Sequence, residues 1–121
     1  MKRSLMQVYV RESAAAVELY REAFDAAIGN DWRNPDGSCA HTELDVGGQI
    51  IAVSEAPTDI TYGSGMQFCL QFGEEESDQV MRAYHVLKEG AKVVCDVGPC
   101  EYSTCMFSLF DRFGVYWCVF G

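Results

Sequence analysis

Apolar and polar residues alternate along Leu5–Val10, setting Leu5 and Gln7 against Met6 and Val8, the period of a short strand. From Ser13 the period lengthens. Val17, Tyr20, Phe24, Ala27 and Ile28 share one stripe at three- and four-residue spacing, and Glu18, Arg21, Glu22 and Asp25 take the other side. That spacing predicts a helix of about four turns. Ser13 suits its N-cap and Gly29 its stop. Asn34-Pro35-Asp36-Gly37 is turn chemistry, which predicts a hairpin between Asp31–Arg33 and Cys39–Val46. Gly47-Gly48 then turns the chain into Gln49–Ser54. The order to this point is β-α-β-β-β.

Residues 55–65 carry the Pro and Gly of a connection, and the pattern then returns. Gln67–Phe72 alternates as a strand. Glu74–Glu89 reads as a helix with Val80, Tyr84 and Leu87 inward, acids at its start, where the helix dipole favours them, and Gly90 at its end. Ala91–Val97, Tyr102–Phe110 and Val115–Phe120 follow as strands, the last two joined through Arg112-Phe113-Gly114. Gly48–Val53 lines up with Gly114–Val119 at an offset of 66, and Gln7 with Gln67 at 60, a match of pattern rather than of identity. The expected fold is α+β, a single domain over residues 1–121 built from two tandem β-α-β-β-β units. Unit one covers about 5–55 and unit two about 66–121, with a connection at about 56–65. Each sheet covers one face with its helix and leaves the other free. Two such free faces turned together would enclose a cavity suited to a ligand.

Composition narrows the function classes. The 121 residues are 49% hydrophobic and 22% charged, which is globular composition. The net charge of −9 repels phosphate backbones and anionic lipid, so neither nucleic acid nor a membrane surface is an expected partner. No apolar run approaches the ~18 residues of a membrane span. The opening Met1-Lys2-Arg3 and the apolar residues after it look briefly like a signal peptide, but Gln7 and Arg11-Glu12 interrupt them, and the expected location is cytoplasmic. The six cysteines contain no C-x-x-C, and Cys95, Cys100 and Cys105 are wrongly spaced for a zinc knuckle or a thioredoxin-like pair. They read as reduced, strand-buried thiols, with Cys100 in a Gly98-Pro99-Cys100-Glu101 turn the most exposed. Gly47-Gly48 and Gly63-Ser64-Gly65 are turns without phosphate-loop spacing.

Three segments carry a family resemblance: Val17-Glu18-Leu19-Tyr20-Arg21-Glu22-Ala23-Phe24, Ala40–Gly48, and the closing Asp111-Arg112-Phe113-Gly114-Val115-Tyr116-Trp117. With the doubled unit, they make residues 5 to 120 resemble the vicinal oxygen chelate superfamily of glyoxalase I, bleomycin-resistance proteins and extradiol dioxygenases. Within it the chain is most similar to small bacterial proteins associated with phosphonate operons, the demethylubiquinone-methyltransferase-like branch, whose D-x-F-G-V-x-W signature the closing segment matches. It departs from that branch at Tyr102–Phe107, where an aromatic-glycine pair and Arg-Tyr-Gly are usual. The resemblance implies that metal-using relatives take ligands from the first and last strand of each unit. By position those places are Gln7, Ala52 (or Ser54), Gln67 and Cys118. Two amides, a methyl and a thiol suit no common divalent ion, so neither a metal nor another cofactor is expected.

Strand alternation places Tyr9 with Gln7, Cys69 and Gln71 with Gln67, Tyr116 and Phe120 with Cys118, and Cys39, Glu43 and Asp45 with His41. The candidate ligand-binding residues are therefore Gln7, Tyr9, His41, Glu43, Gln67, Tyr116 and Cys118. Amides orient polar groups and phenols supply flat walls. His41 and Glu43 have the spacing of a base and its orienting carboxylate, against the plainer reading of a solvated face or dimer contact. Trp117 is expected in the core, His85 at a surface, and Trp32 at a cavity mouth or dimer contact. The expected function is metal-independent binding of a small polar or aromatic molecule by a homodimer. The alternatives are a divalent-metal lyase, isomerase or dioxygenase of the glyoxalase type, and a subunit whose own aromatics fill the cavity.

Overall fold

The computed structural model describes residues 1–121 and divides into two compact units, Met1–Thr61 and Tyr62–Gly121. In unit 1, strand β1 (Met6–Val10) leads into helix α1 (Ser13–Phe24), followed by β2 (Ala27–Arg33), β3 (Cys39–Val46) and β4 (Gln49–Glu55). The sheet order is β1-β4-β3-β2, with β1 parallel to β4 and the other pairs antiparallel. Unit 2 repeats this plan. Strand β5 (Phe68–Gln71) precedes a single 3-10 turn at Glu74–Glu76 and helix α2 (Ser77–Leu87), then β6 (Lys92–Cys100), β7 (Ser103–Phe110) and β8 (Tyr116–Phe120). Its order is β5-β8-β7-β6, again with one parallel pair, β5 with β8. The fold is the α+β repeat expected from the sequence, two open four-stranded mixed sheets with a helix each. Neither helix is long and apolar enough to cross a membrane.

Helix α1 is one turn shorter than its stripe predicts. Ala16, Val17, Leu19, Tyr20, Ala23 and Phe24 are buried as a helical face, but Asp25 adopts the left-handed conformation (φ 49°) and its N–H bonds the Arg21 carbonyl. Asp tolerates that region better than most residues, so the helix stops there. Ala27 and Ile28 continue the apolar spacing, yet they pair with Asp45 and Leu44 as the start of β2. Ser13 is the first helical residue rather than the cap. The capping oxygen comes from the end of β4, where Glu55 accepts from the Ser13 N–H at 3.0 Å and from its hydroxyl at 2.7 Å. The Cys39 N–H in turn donates to the Ser13 hydroxyl at 2.8 Å. A carboxylate at a helix start meets both the free N–H groups and the positive end of the dipole.

That last bond changes the face of Cys39. A register shift opposite Trp32 and Arg33 turns Cys39 into the core and leaves Ala40 exposed, so Cys39 does not share a face with His41 as strict alternation predicts. From Thr42 onward the expected alternation holds: Thr42, Leu44 and Val46 are buried, and Asp45 is exposed. The core of unit 1 is Val10, Val17, Tyr20, Leu44, Ile51 and Val53.

In unit 2, Val80, Leu87, Phe107, Leu109, Trp117 and Val119 are fully buried, Trp117 among them as expected. The closing Asp-Arg-Phe-Gly-Val-Tyr-Trp segment has a structural task. Asp111 lies buried in the β7–β8 turn, where its carboxylate accepts from the N–H groups of Phe113 (2.8 Å) and Val115 (3.1 Å) and from the Trp117 indole (2.8 Å). Gly114 completes the turn at φ 89°, a conformation that glycine adopts without a Cβ penalty. Strand β6 runs on through Cys100, three residues past its expected end at Val97, and leaves the turn to Glu101 and Tyr102. Cys100 is half-buried, and the exposed thiols are Cys69 and Cys95.

Candidate functional site

The open face of unit 1 gathers polar side chains from four segments. Glu43, in the middle of β3, is 4% exposed, and such a carboxylate needs partners for its charge. Arg3 supplies the first as a two-pronged pair, Nη1 to Oε1 at 2.9 Å and Nη2 to Oε2 at 2.8 Å. His41, two residues earlier on the same face, meets Oε2 through Nε2 at 2.8 Å. Asn30 on β2 adds a long contact of 3.5 Å. The Arg3 guanidinium, and then the His41 hydrogen bond, hold the Glu43 carboxyl at about 2, well below its ordinary 4.5. An ionised carboxylate only accepts, so Nε2 of His41 carries a proton, and in the neutral ring Nδ1 carries the lone pair. The Trp32 ring lies 5.7 Å from the His41 ring and is itself 57% exposed.

Beside this cluster, Gln7 on β1 stands opposite Ala52 and donates from Nε2 to the Ser54 hydroxyl at 3.0 Å. Tyr9, next on that face and opposite Ser54, is half exposed. The expected pair His41–Glu43 is thus in direct contact, with Gln7 and Tyr9 on β1, beyond β4. Arg3 and Asn30 escaped the sequence reading. Nothing local marks Arg3 as the partner of a residue 40 positions away, and Asn30 falls between the helix stop expected at Gly29 and the strand expected from Asp31.

On unit 2, Cys118 is 7% exposed and stands directly opposite Cys69 across the parallel β5–β8 pair. Gln7 and Ala52 have the same relation in unit 1. The residue that matches Gln7 by strand pairing is therefore Cys69, and Gln67 lies exposed just before β5 begins. The offset of 60 between the two glutamines misplaces the match: β5 begins at Phe68, which pairs with Trp117 as Met6 pairs with Ile51, so the true offset of the first strands is 62. Tyr116 is half-buried and stacks on Phe110 with centroids 4.1 Å apart. Tyr102, 59% exposed, sets its ring edge against Phe120. Charge on Cys118, then burial, pushes its phenol up to about 12. His85 is exposed beside Tyr84, as expected.

The four strand places at which metal-using relatives hold ligands are occupied by Gln7, Ala52, Cys69 and Cys118. Ala52 offers no donor atom, and Gln7, whose Nε2 donates to Ser54, offers only a neutral amide oxygen. Glu43, on β3 directly opposite Ala52, has both oxygens committed to Arg3 and His41. No three His, Cys, Asp or Glu side chains converge as a metal would require. This donor set does not fit a divalent ion with open positions.

A family model described as Glyoxalase/Bleomycin resistance protein/Dioxygenase superfamily matches residues 4–119. No curated protein matches the chain in sequence. Among solved structures, a putative 3-demethylubiquinone-9 3-methyltransferase, PhnB protein, of Bacillus cereus superposes with TM-score 0.80 at 18% identity, covering 98% of each chain. A protein of Pseudomonas aeruginosa reaches 0.82 at 19% identity, over 99% of this chain and 97% of its own. The fosfomycin resistance protein FosX of Listeria monocytogenes, as an E126Q mutant complexed with Mn(II) and 1S,2S-dihydroxypropylphosphonic acid, reaches 0.68 at 13% identity, over 98% of this chain and 87% of its own. At these identities the likeness is one of fold.

Proposed function

We propose that this chain, which belongs to the Glyoxalase/Bleomycin resistance protein/Dioxygenase superfamily, binds a small polar or aromatic molecule without a metal ion. The observation that carries this reading is Glu43. A carboxylate at the heart of the unit 1 open face is neutralised by Arg3 and His41, leaving a face of amide, phenol, imidazole and indole groups in place of anionic oxygens. In this reading Gln7 and His41 orient polar groups of the ligand, Tyr9 supplies a flat wall, and Glu43 fixes the His41 ring. On unit 2 the corresponding candidates are Gln67, just before β5, and Tyr116 and Cys118 on β8.

The test begins with metal content after purification without a tag or chelator, followed by thermal shifts with Ni²⁺, Co²⁺, Mn²⁺, Zn²⁺ and Fe²⁺ and with a panel of small aromatic and polar compounds. The expected result is metal-free protein that no ion stabilises. A compound present at a hundred times its Kd should add about 2.7 kcal/mol, a shift of several degrees. His41→Ala and Tyr9→Ala should each reduce that shift. Near-stoichiometric metal, or a comparable stabilisation by one ion that Gln7→Ala abolishes, overturns the proposal in favour of a metal-dependent lyase, isomerase or dioxygenase.

A further inference from the structure

Unit 2 carries two thiols at directly paired positions of adjacent strands, Cys69 on β5 and Cys118 on β8. We propose that Cys69 and Cys118 form a dithiol that a hydroperoxide closes to a disulfide, tying edge strand β5 covalently to β8.

The geometry comes from the sheet. Directly paired residues on adjacent strands stand one strand spacing apart, about 4.8 Å, with side chains on the same face. Disulfides form at Cα separations of about 4.4–6.8 Å, a range that includes this spacing. Cys69 and Cys118 are direct partners in the parallel β5–β8 register. Their environments divide the labour. Cys69 is exposed and meets the oxidant first, whereas Cys118 is buried, and that burial pushes its thiol up and keeps its proton in place. Cys100 is a competitor, but it ends β6, an edge strand that β7 separates from β8. Strand β5 has four residues and β8 as its single neighbour, so it is the element a covalent tie changes most.

The chemistry balances with the hydroperoxide as oxidant. The Cys69 thiolate attacks one peroxide oxygen, the O–O bond breaks, and the leaving alkoxide or hydroxide takes a proton to depart as alcohol or water. The Cys118 sulfur then attacks the resulting sulfenic sulfur, the S–O bond breaks, and the hydroxyl leaves as water with the Cys118 proton. The two thiols together lose two electrons, which the peroxide accepts.

The full-length reduced protein is treated with hydrogen peroxide, and its thiols are counted under denaturing conditions before and after. The expected result is a fall from six thiols to four, a Cys69–Cys118 cross-linked peptide, and recovery of all six with dithiothreitol. Cys69→Ser, at an exposed position, should fold normally and lose the cross-link, and Cys100→Ser should keep it. A link between any other pair, sulfinic acid at Cys69 without a cross-link, or six surviving thiols overturns the proposal. The wild-type peptide map decides the matter even if Cys118→Ser fails to fold.

Discussion

Glu43 and Glu55 lie on neighbouring strands, and each is put to use by a partner distant in the chain. Glu55 caps a helix that begins at Ser13, and Glu43 holds Arg3 and His41. The low value of Glu43 ties it to stability through pH. Its folded value of about 2 lies below the ordinary 4.5, so its contribution is fully present above about 4.5 and is lost as pH falls toward 2. The Glu43→Gln amide does not titrate there. The difference in melting temperature between wild type and Glu43→Gln should therefore be largest above about pH 5 and shrink toward pH 2. Arg3 remains half in water, so added salt should narrow the gap as well. A difference that stays constant across that range would show that Glu43 acts through packing alone. The contact between His41 and Glu43 was legible in the sequence because alternation brings residues i and i+2 to one face. Arg3 was not, since its position follows from where β1 enters the sheet.

The turn between β7 and β8 shows what an element demands of its residues. One buried carboxylate serves two backbone N–H groups and the indole of a fully buried tryptophan. Asp111→Ala strands the Val115 N–H and the Trp117 Nε1–H without an acceptor, and each orphan costs about 1–3 kcal/mol. Urea denaturation should accordingly show a loss of roughly 3 kcal/mol. Gly114→Ala, strained only by its positive φ, should lose about 1 kcal/mol. A smaller loss at Asp111 than at Gly114 would mean that the turn holds without its carboxylate. Turns and strands with strong local chemistry, such as Asn34–Gly37 and Gly47-Gly48, stand where the sequence places them, because a few adjacent residues decide them. The end of α1 does not, because pairing with β3 competes for Ala27 and Ile28 and exceeds their helical spacing. The same competition carries β6 through Pro99 to Cys100, on an edge strand where a missing N–H is tolerated.

At the scale of the whole molecule, two units of one plan carry 18 acidic residues against nine basic ones. Such an excess opposes compaction through self-repulsion, and salt relieves it as the screening length falls from about 30 Å at 0.01 M to about 8 Å at 0.15 M. The melting temperature should therefore rise across that range of sodium chloride. A fall would mean that local pairs such as Arg3–Glu43 and Arg33–Asp31, which salt weakens, outweigh the net charge. The doubled plan itself was readable from the chain, since each unit repeats the same succession of periods. Its inner alignment was not. A strand's register is set by hydrogen bonds to its neighbour, and those place Cys69, rather than Gln67, across from Cys118.

Local patterning thus determined the kinds and order of elements, most of the turns, and the pairing of His41 with Glu43, because each depends on residues a few positions apart. Tertiary structure alone decided which distant groups meet: Arg3 with Glu43, Ser13 with Glu55, and Cys69 with Cys118. Those meetings rest on strand register and on the burial of charge. Both are energies of the assembled sheet, and no short stretch of the chain contains them.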